Sequence, residues 1–118
     1  MLIELLKPDF IFQDERGDLT QLVHEGFQQV NVIRSVKGVI RGDHYHKLNR
    51  EAFYVIEGEF KLDVQKDGIV EHYVFKKGEM FLIPEYVMHS FEFVEDTLLV
   101  SFYDKGVELD NGEKDIYA

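Results

Sequence analysis

A chain of 118 residues has room for one hydrophobic core, and it reads as a single domain spanning residues 1–118. Its formal net charge of -10 opposes nucleic-acid phosphate, and no Lys/Arg cluster offsets that sign, so no nucleic-acid partner is expected. The absence of Cys excludes disulfides, thiolate ligands and Cys nucleophiles; it suits a reducing cytoplasm, the expected location, and any metal must be held by nitrogen and oxygen.

In chain order, Met1 to Pro8 is apolar but interrupted by Glu4, and it lacks the basic and hydrophobic regions of a signal peptide. Nothing else approaches a membrane span, and no membrane partner is expected. From residue 10 onward the chain reads as strands and turns. Gln28 to Ser35 alternates Val30 and Val32 with polar neighbours, and Ala52 to Glu57 is rich in aromatic and β-branched residues. Further strands are predicted at Glu59 to Gln65, Ile69 to Phe75, Met80 to Ile83, Ser90 to Val94 and Thr97 to Tyr103. The punctuation between them is Glu57-Gly58, Lys66-Asp67-Gly68, Lys77-Gly78 and Glu95-Asp96, with Asp67-Gly68 the strongest hairpin signal. No long amphipathic helix competes. Short strands at this spacing indicate an all-β sandwich or barrel. The tail from Val107 to Ala118 has few apolar residues and is expected to fray or to form a short subunit-crossing strand.

The chemistry concentrates in His44, His46, Glu51 and His89. Side chains at i and i+2 of a strand share a face, so His44 and His46 can converge on one ion while Tyr45 points away. Glu51 lies past a short turn and can return from the neighbouring strand. Imidazoles and a carboxylate suit a divalent metal such as Zn, Ni, Fe or Mn, and four such ligands leave room for water or substrate. The remaining histidines, His24 and His72, fall outside this pattern and are expected at the surface or in turns. Phe53, Tyr54, Phe81, Phe91 and Phe93 are expected to pack the barrel.

The spacing Gly38, five residues, His44-Tyr45-His46, four residues, Glu51, six residues, Gly58 resembles the first cupin motif in full. Gly78, five residues, Pro84 and then His89 resembles the second, with Tyr86 standing where the family usually has Gly and Phe93 where it usually has Asn. The resemblance covers about residues 28–103 and implies a small antiparallel jelly-roll β-barrel with the metal inside. Upstream, Phe12 to Leu19, then Gln29-Val30-Asn31 and Arg34 to Tyr45, resembles the dTDP-4-dehydrorhamnose 3,5-epimerase family. Arg41-Gly42, one residue, His44, one residue, His46-Lys47 is similar also to the dTDP-sugar 3,4-ketoisomerases and to the cupin domains of capsular-polysaccharide enzymes. The epimerase resemblance implies that Arg16 and Arg41 face a diphosphate, that Gln29 and Asn31 contact substrate, and that His44 is the proton-abstracting base. Lys47 is read as solvated, or as a further phosphate contact. Those epimerases have Gln where this chain has His46, and they work without a metal. With an ion on His44 the proton has to be carried elsewhere; without one, His44 or His46 is the base, and Tyr103 with Asp104 is the candidate acid and orienting carboxylate.

Three readings follow. The first is an isomerase or epimerase of a nucleotide-linked keto sugar in polysaccharide or antibiotic-sugar assembly. The second is a metal-dependent cupin oxygenase, because three His and one Glu also serve that chemistry. The third is a non-catalytic sugar or small-molecule binding cupin. The families resembled usually pair through their sheets, so a homodimer is expected.

Overall fold

Alternation of apolar and polar residues builds nearly the whole chain into strands. The computed structural model describes residues Met1–Ala118. Its strands are β1 (Glu4–Leu6), β2 (Phe10–Asp14), β3 (Gly17–Gln21), β4 (Gln29–Ser35), β5 (Ile40–His44), β6 (Glu51–Glu57), β7 (Glu59–Lys66), β8 (Ile69–Lys76), β9 (Met80–Ile83), β10 (Met88–Phe93) and β11 (Thr97–Tyr103). No helix is long and apolar enough to cross a membrane. One sheet has five strands in the order β1-β9-β6-β11-β4, the other has four in the order β5-β10-β7-β8, and β2 pairs with β3 as a separate hairpin. All pairings are antiparallel, which makes the body a jelly-roll barrel.

The two sheets face each other through one inward row per strand. On β7 that row is Phe60, Leu62 and Val64, all buried between exposed Lys61 and Asp63. Phe75 on β8 stacks on Phe81 of β9 with ring centroids 4.1 Å apart, and Phe60, Phe91 and Phe93 complete the aromatic packing. Each such side chain taken from water stabilises the fold by about 1.5–3 kcal/mol. Asp67 and Gly68 both have positive φ, 52° and 79°, so the chain reverses in two residues between β7 and β8.

The inward rows change character at one end of the barrel. On β6 the row runs Val55, Phe53, Glu51; on β11, Leu99, Ser101, Tyr103; on β10, Phe93, Phe91, His89. Pairing of Glu51 with Tyr103 and of His89 with His44 brings the polar ends together. Period-two alternation therefore delivers a polar cluster to one mouth of an otherwise apolar barrel.

Three expectations need correction. A strand at Glu4–Leu6 was not predicted: three residues are too few to show a period, and β1 exists because its backbone completes the edge of β9. The strand predicted to begin at Ser90 begins at Met88 and ends at Phe93, which puts His89 inside the ladder. The tail neither frays nor leaves the chain. Residues 108–114 turn back on themselves, and Tyr117 pairs with Tyr45 through backbone hydrogen bonds of 2.9 and 3.0 Å.

Candidate functional site

β5 carries the local irregularity that shapes the site. Opposite it on β10, His89 pairs with His44 but the next residue, Ser90, pairs with Gly42, so Asp43 is an extra residue in the ladder. Gly42 and Asp43 both have positive φ, 97° and 63°. Residues three apart cannot share a face of a regular strand; this bulge resets the phase, and both Arg41 and His44 line one pocket. A Cβ on Gly42 would lie 2.8 Å from the His89 carbonyl oxygen, so the two strands approach this closely only because position 42 has no side chain.

The pocket has a volume of about 250 Å³. Its polar wall is Arg41, His44, Glu51, His89 and Tyr103, and its apolar wall includes Phe53, Phe91 and Leu99. That is below the roughly 300–1,000 Å³ of sites for drug-sized ligands.

At the back of the pocket, His46 and His89 are buried on either side of the buried Glu51, with His89 and Glu51 in the wall and His46 behind it. The His46 Nδ1–H donates to the Asp115 carbonyl at 2.6 Å, and the His89 Nδ1–H donates to the Val87 carbonyl at 3.1 Å. Both rings therefore turn Nε2 toward Glu51 Oε1, at 3.1 Å from His46 and 3.8 Å from His89. The other carboxylate oxygen, Oε2, accepts the Ser101 hydroxyl at 2.6 Å. Two such atoms 3.1 Å apart in a buried site need a shared proton or a cation between them. One nitrogen from each of His44, His46 and His89 also lies within 4.8 Å of the others. The donor set fits a divalent metal: three imidazoles, with Glu51 beside two of them and two imidazoles oriented by carbonyls.

The charges follow from this geometry. Burial would lower His46, but the hydrogen bond to Glu51, the Asp115 carbonyl and the nearby carboxylates outweigh it and hold the ring above its ordinary value. Burial pushes His89 down to about 4, only partly opposed by Glu51. His44, half-exposed at the pocket, lies below its ordinary value because of burial and the neighbouring His46. Burial first, then the Glu51 charge, raises the Tyr103 phenol and keeps it protonated.

The residues singled out in the sequence separate into two groups. His44, Arg41, Glu51, His89 and Tyr103 meet at the pocket, and His46 stands behind it with both ring nitrogens engaged. Arg16 does not line this pocket: it sits at the turn of the β2–β3 hairpin, its Nε donating to Asp14 at 2.9 Å. Gln29 spends its carbonyl on the Val107 amide at 2.9 Å, while Asn31 is half-buried on the same side of β4 and outside the pocket lining. Lys47 places its ammonium 4.2 Å above the Tyr117 ring. Tyr86, where the cupin resemblance expects Gly, has φ of 66° and donates its amide to the His46 carbonyl at 2.7 Å, so the turn keeps the glycine geometry despite the side chain.

Sequence reasoning missed Ser101, Asn49 and Asp115. Ser101 was legible as a small polar residue in the inward row of β11, two positions before Tyr103. Asp115 had no local signal. Its carboxylate is wholly buried and accepts the amides of Lys47 and Leu48 and the Asn49 side chain, each at 2.9 Å. Burial would raise its pKa, but these donors outweigh it and hold it below the ordinary carboxylate value.

A sequence model of the family described as "Polysaccharide biosynthesis C-terminal domain" matches residues 12–117. Among solved structures, the sugar 3,4-ketoisomerase QdtA from Thermoanaerobacterium thermosaccharolyticum, in complex with TDP, superposes with a TM-score of 0.78 at 20% identity, over 98% of this chain and 86% of that one. The dTDP-4-dehydrorhamnose 3,5-epimerase from Sulfolobus tokodaii superposes with a TM-score of 0.72 at 24% identity, over 87% of this chain and 70% of that one. At these identities the likeness shows the fold. The 3-hydroxyanthranilate 3,4-dioxygenase of Xanthomonas oryzae pv. oryzae is 40% identical over 50 residues, 42% of this chain and 28% of the dioxygenase. The match thus spans well under a third of that relative's length.

Proposed function

The chain belongs to the polysaccharide biosynthesis C-terminal domain family, and from that premise we propose that its pocket isomerises or epimerises a nucleotide-linked keto sugar. The observation that carries this reading is that the bulge at Asp43 turns Arg41 and His44 into one pocket with Tyr103. His44 is the base that takes a proton from a carbon beside the ketone, and Tyr103 is the acid that returns one. Arg41, exposed at the mouth, pairs with the diphosphate, where a guanidinium can bond two oxygens at once. Its Nε is held by the Ser35 hydroxyl at 2.8 Å, which fixes the side chain before substrate arrives. The apolar wall excludes water from the sugar ring.

A metal-bound form of this reading puts a divalent ion on His46, Glu51 and His89 with His44 as a fourth ligand, in which case His44 is no longer the base. When bound, such an ion supplies Lewis acidity for a carbonyl oxygen. With His44 serving the ion, Tyr103, held protonated, remains as the proton donor on the wall. Arg16 lies outside its own chain's pocket, so a diphosphate contact from it has to cross a subunit boundary. The exposed apolar residues Phe10, Ile11, Phe12 and Leu19 of the hairpin, and Val30 and Val32 on the edge strand β4, support a homodimer. Sedimentation at micromolar concentration is expected to give twice the chain mass; a single-chain mass at every concentration would remove the dimer.

Incubation with TDP-4-keto-6-deoxyglucose in heavy water tests the chemistry. Deuterium is expected at a carbon beside the ketone, and His44→Asn is expected to abolish it. Binding without exchange would leave a sugar-binding module. The dioxygenase match favours a second reading, a metal-dependent oxygenase; oxygen uptake by the iron-loaded protein with 3-hydroxyanthranilate, and none of the exchange above, would select it.

A further inference from the structure

The turn from Lys47 to Arg50 joins His46 to Glu51, so whatever holds that turn sets the spacing of the two side chains. It is held by the tail. The Asp115 carboxylate accepts the backbone amides of Lys47 and Leu48. Asn49, also wholly buried, donates to Asp115 Oδ2 and to the Gly106 carbonyl, while its own oxygen accepts the amides of Lys105 and Gly106 at 3.0 and 2.8 Å. The Asp115 amide is anchored in turn on the Val107 carbonyl at 2.8 Å. The residue that supplies the buried carboxylate also supplies the carbonyl that takes the His46 Nδ1–H.

We propose that Asp115 is a positioning residue: with Asn49 it locks the turn between His46 and Glu51, and its carbonyl orients the His46 ring so that Nε2 faces Glu51. The assignment rests on the reading of that pair as part of a cation site, and it extends that site to a tail that shares no strand with it. Burying a carboxylate with no Lys or Arg partner is costly, and three N–H donors offset the cost only while the turn and the tail stay in register. A carbonyl on the far nitrogen of a ligand imidazole fixes both its tautomer and its direction.

The test uses the full chain and its Asp115→Ala and Asp115→Asn variants, with Phe75→Leu as a core variant on β8. Three quantities are read: melting temperature, the slowly exchanging Nδ1–H resonance of His46 in 1H–15N spectra, and zinc affinity by competition with a chelator. Wild type is expected to show the Nδ1–H resonance. Asp115→Ala keeps the backbone carbonyl but releases the tail that positions it, so it is expected to lose the resonance and to bind zinc about 10–100-fold more weakly, as when an outer-shell partner is displaced. Asp115→Asn, which keeps an acceptor oxygen, should fall between the two, and Phe75→Leu should lower the melting temperature alone. If Asp115→Ala melts earlier but keeps the resonance and the zinc affinity of wild type, Asp115 is only an anchor and the proposal fails. Should that variant not fold, Asp115→Asn decides on the same two readouts. Absence of zinc binding in wild type would remove the cation reading, whereas the resonance, which needs no ion, would still decide the positioning role.

Discussion

Replacing Gly42 by Ala tests the link between one backbone position and the whole pocket. Two costs are expected. A positive φ strains an L residue by about 1–3 kcal/mol. The new Cβ would lie 2.8 Å from the His89 oxygen and 3.3 Å from the Ser90 Cα; both are backbone atoms of a paired strand, and over-packing of this kind adds about 1–3 kcal/mol. The sum, about 4 kcal/mol, is large against the roughly 6–18 kcal/mol expected for a domain of this size, but it leaves a folded protein. Gly78 provides the control, because its φ is also positive, 87°, while nothing lies within 4 Å of its would-be Cβ. Gly78→Ala should therefore cost only the strain, about 2 kcal/mol. At about 4 °C per kcal/mol, the melting temperature should fall by roughly 16 °C for Gly42→Ala and roughly 8 °C for Gly78→Ala. Urea titration of both variants gives the same comparison. Because relief of the clash pushes β5 from β10, Gly42→Ala should also separate His44 from His89, whose rings are now 4.7 Å apart, and weaken ligand binding. Equal destabilisation by the two variants would refute the close-approach argument, and so would wild-type ligand affinity in Gly42→Ala.

Ser101→Ala leaves Glu51 Oε2 without its 2.6 Å donor in a buried site, which should cost about 1–3 kcal/mol in urea unfolding; a neutral result would mean that the carboxylate finds another partner. Arg41→Ala, at an exposed position, is expected to leave the melting temperature within about 2 °C of wild type while weakening TDP binding about tenfold or more, measured by calorimetry; unchanged affinity would remove Arg41 from the diphosphate site. At the surface, the Asp9 carboxylate accepts the His24 Nδ1–H at 2.8 Å and raises that imidazole above its ordinary value, while hydrogen bonds from Gln21 and His24 lower Asp9. The raised His24 contributes stability that is complete below its unfolded pKa and is lost as pH rises through the folded one. The depressed Asp9 contributes above its unfolded pKa and loses that contribution as pH falls through its folded one. An NMR titration should place His24 above about 6.5 and return it there in Asp9→Asn; an unchanged midpoint would sink the pairing.

How far the fold was legible depended on whether its cause was local. Met80–Ile83 and Thr97–Tyr103 match the predicted limits, and β6, β7 and β8 each differ from them by one residue, because alternation and turn chemistry are written into neighbouring residues. β1 has no such record, since its existence depends on an edge elsewhere in the sheet. That His44, His46, Glu51 and His89 form one cluster was readable from motif spacing. Their division of labour was not: His46 looked interchangeable with His44 until the tail was seen to occupy its second nitrogen. Arg16 and Gln29 shared a motif-level expectation with Arg41, yet one points its guanidinium at Asp14 and the other holds the tail.

By itself the sequence determined an all-β sandwich or barrel, because period-two alternation and turn residues act within a few positions of themselves, while the barrel and its imidazole–carboxylate cluster were implied by the resemblance to the cupin motifs. Tertiary structure alone decided that a bulge at Asp43 faces Arg41 into the same pocket as His44, and that Asp115, 69 positions from His46, orients its ring. Contacts between residues so far apart depend on the closure of the whole sheet, and no local pattern records them.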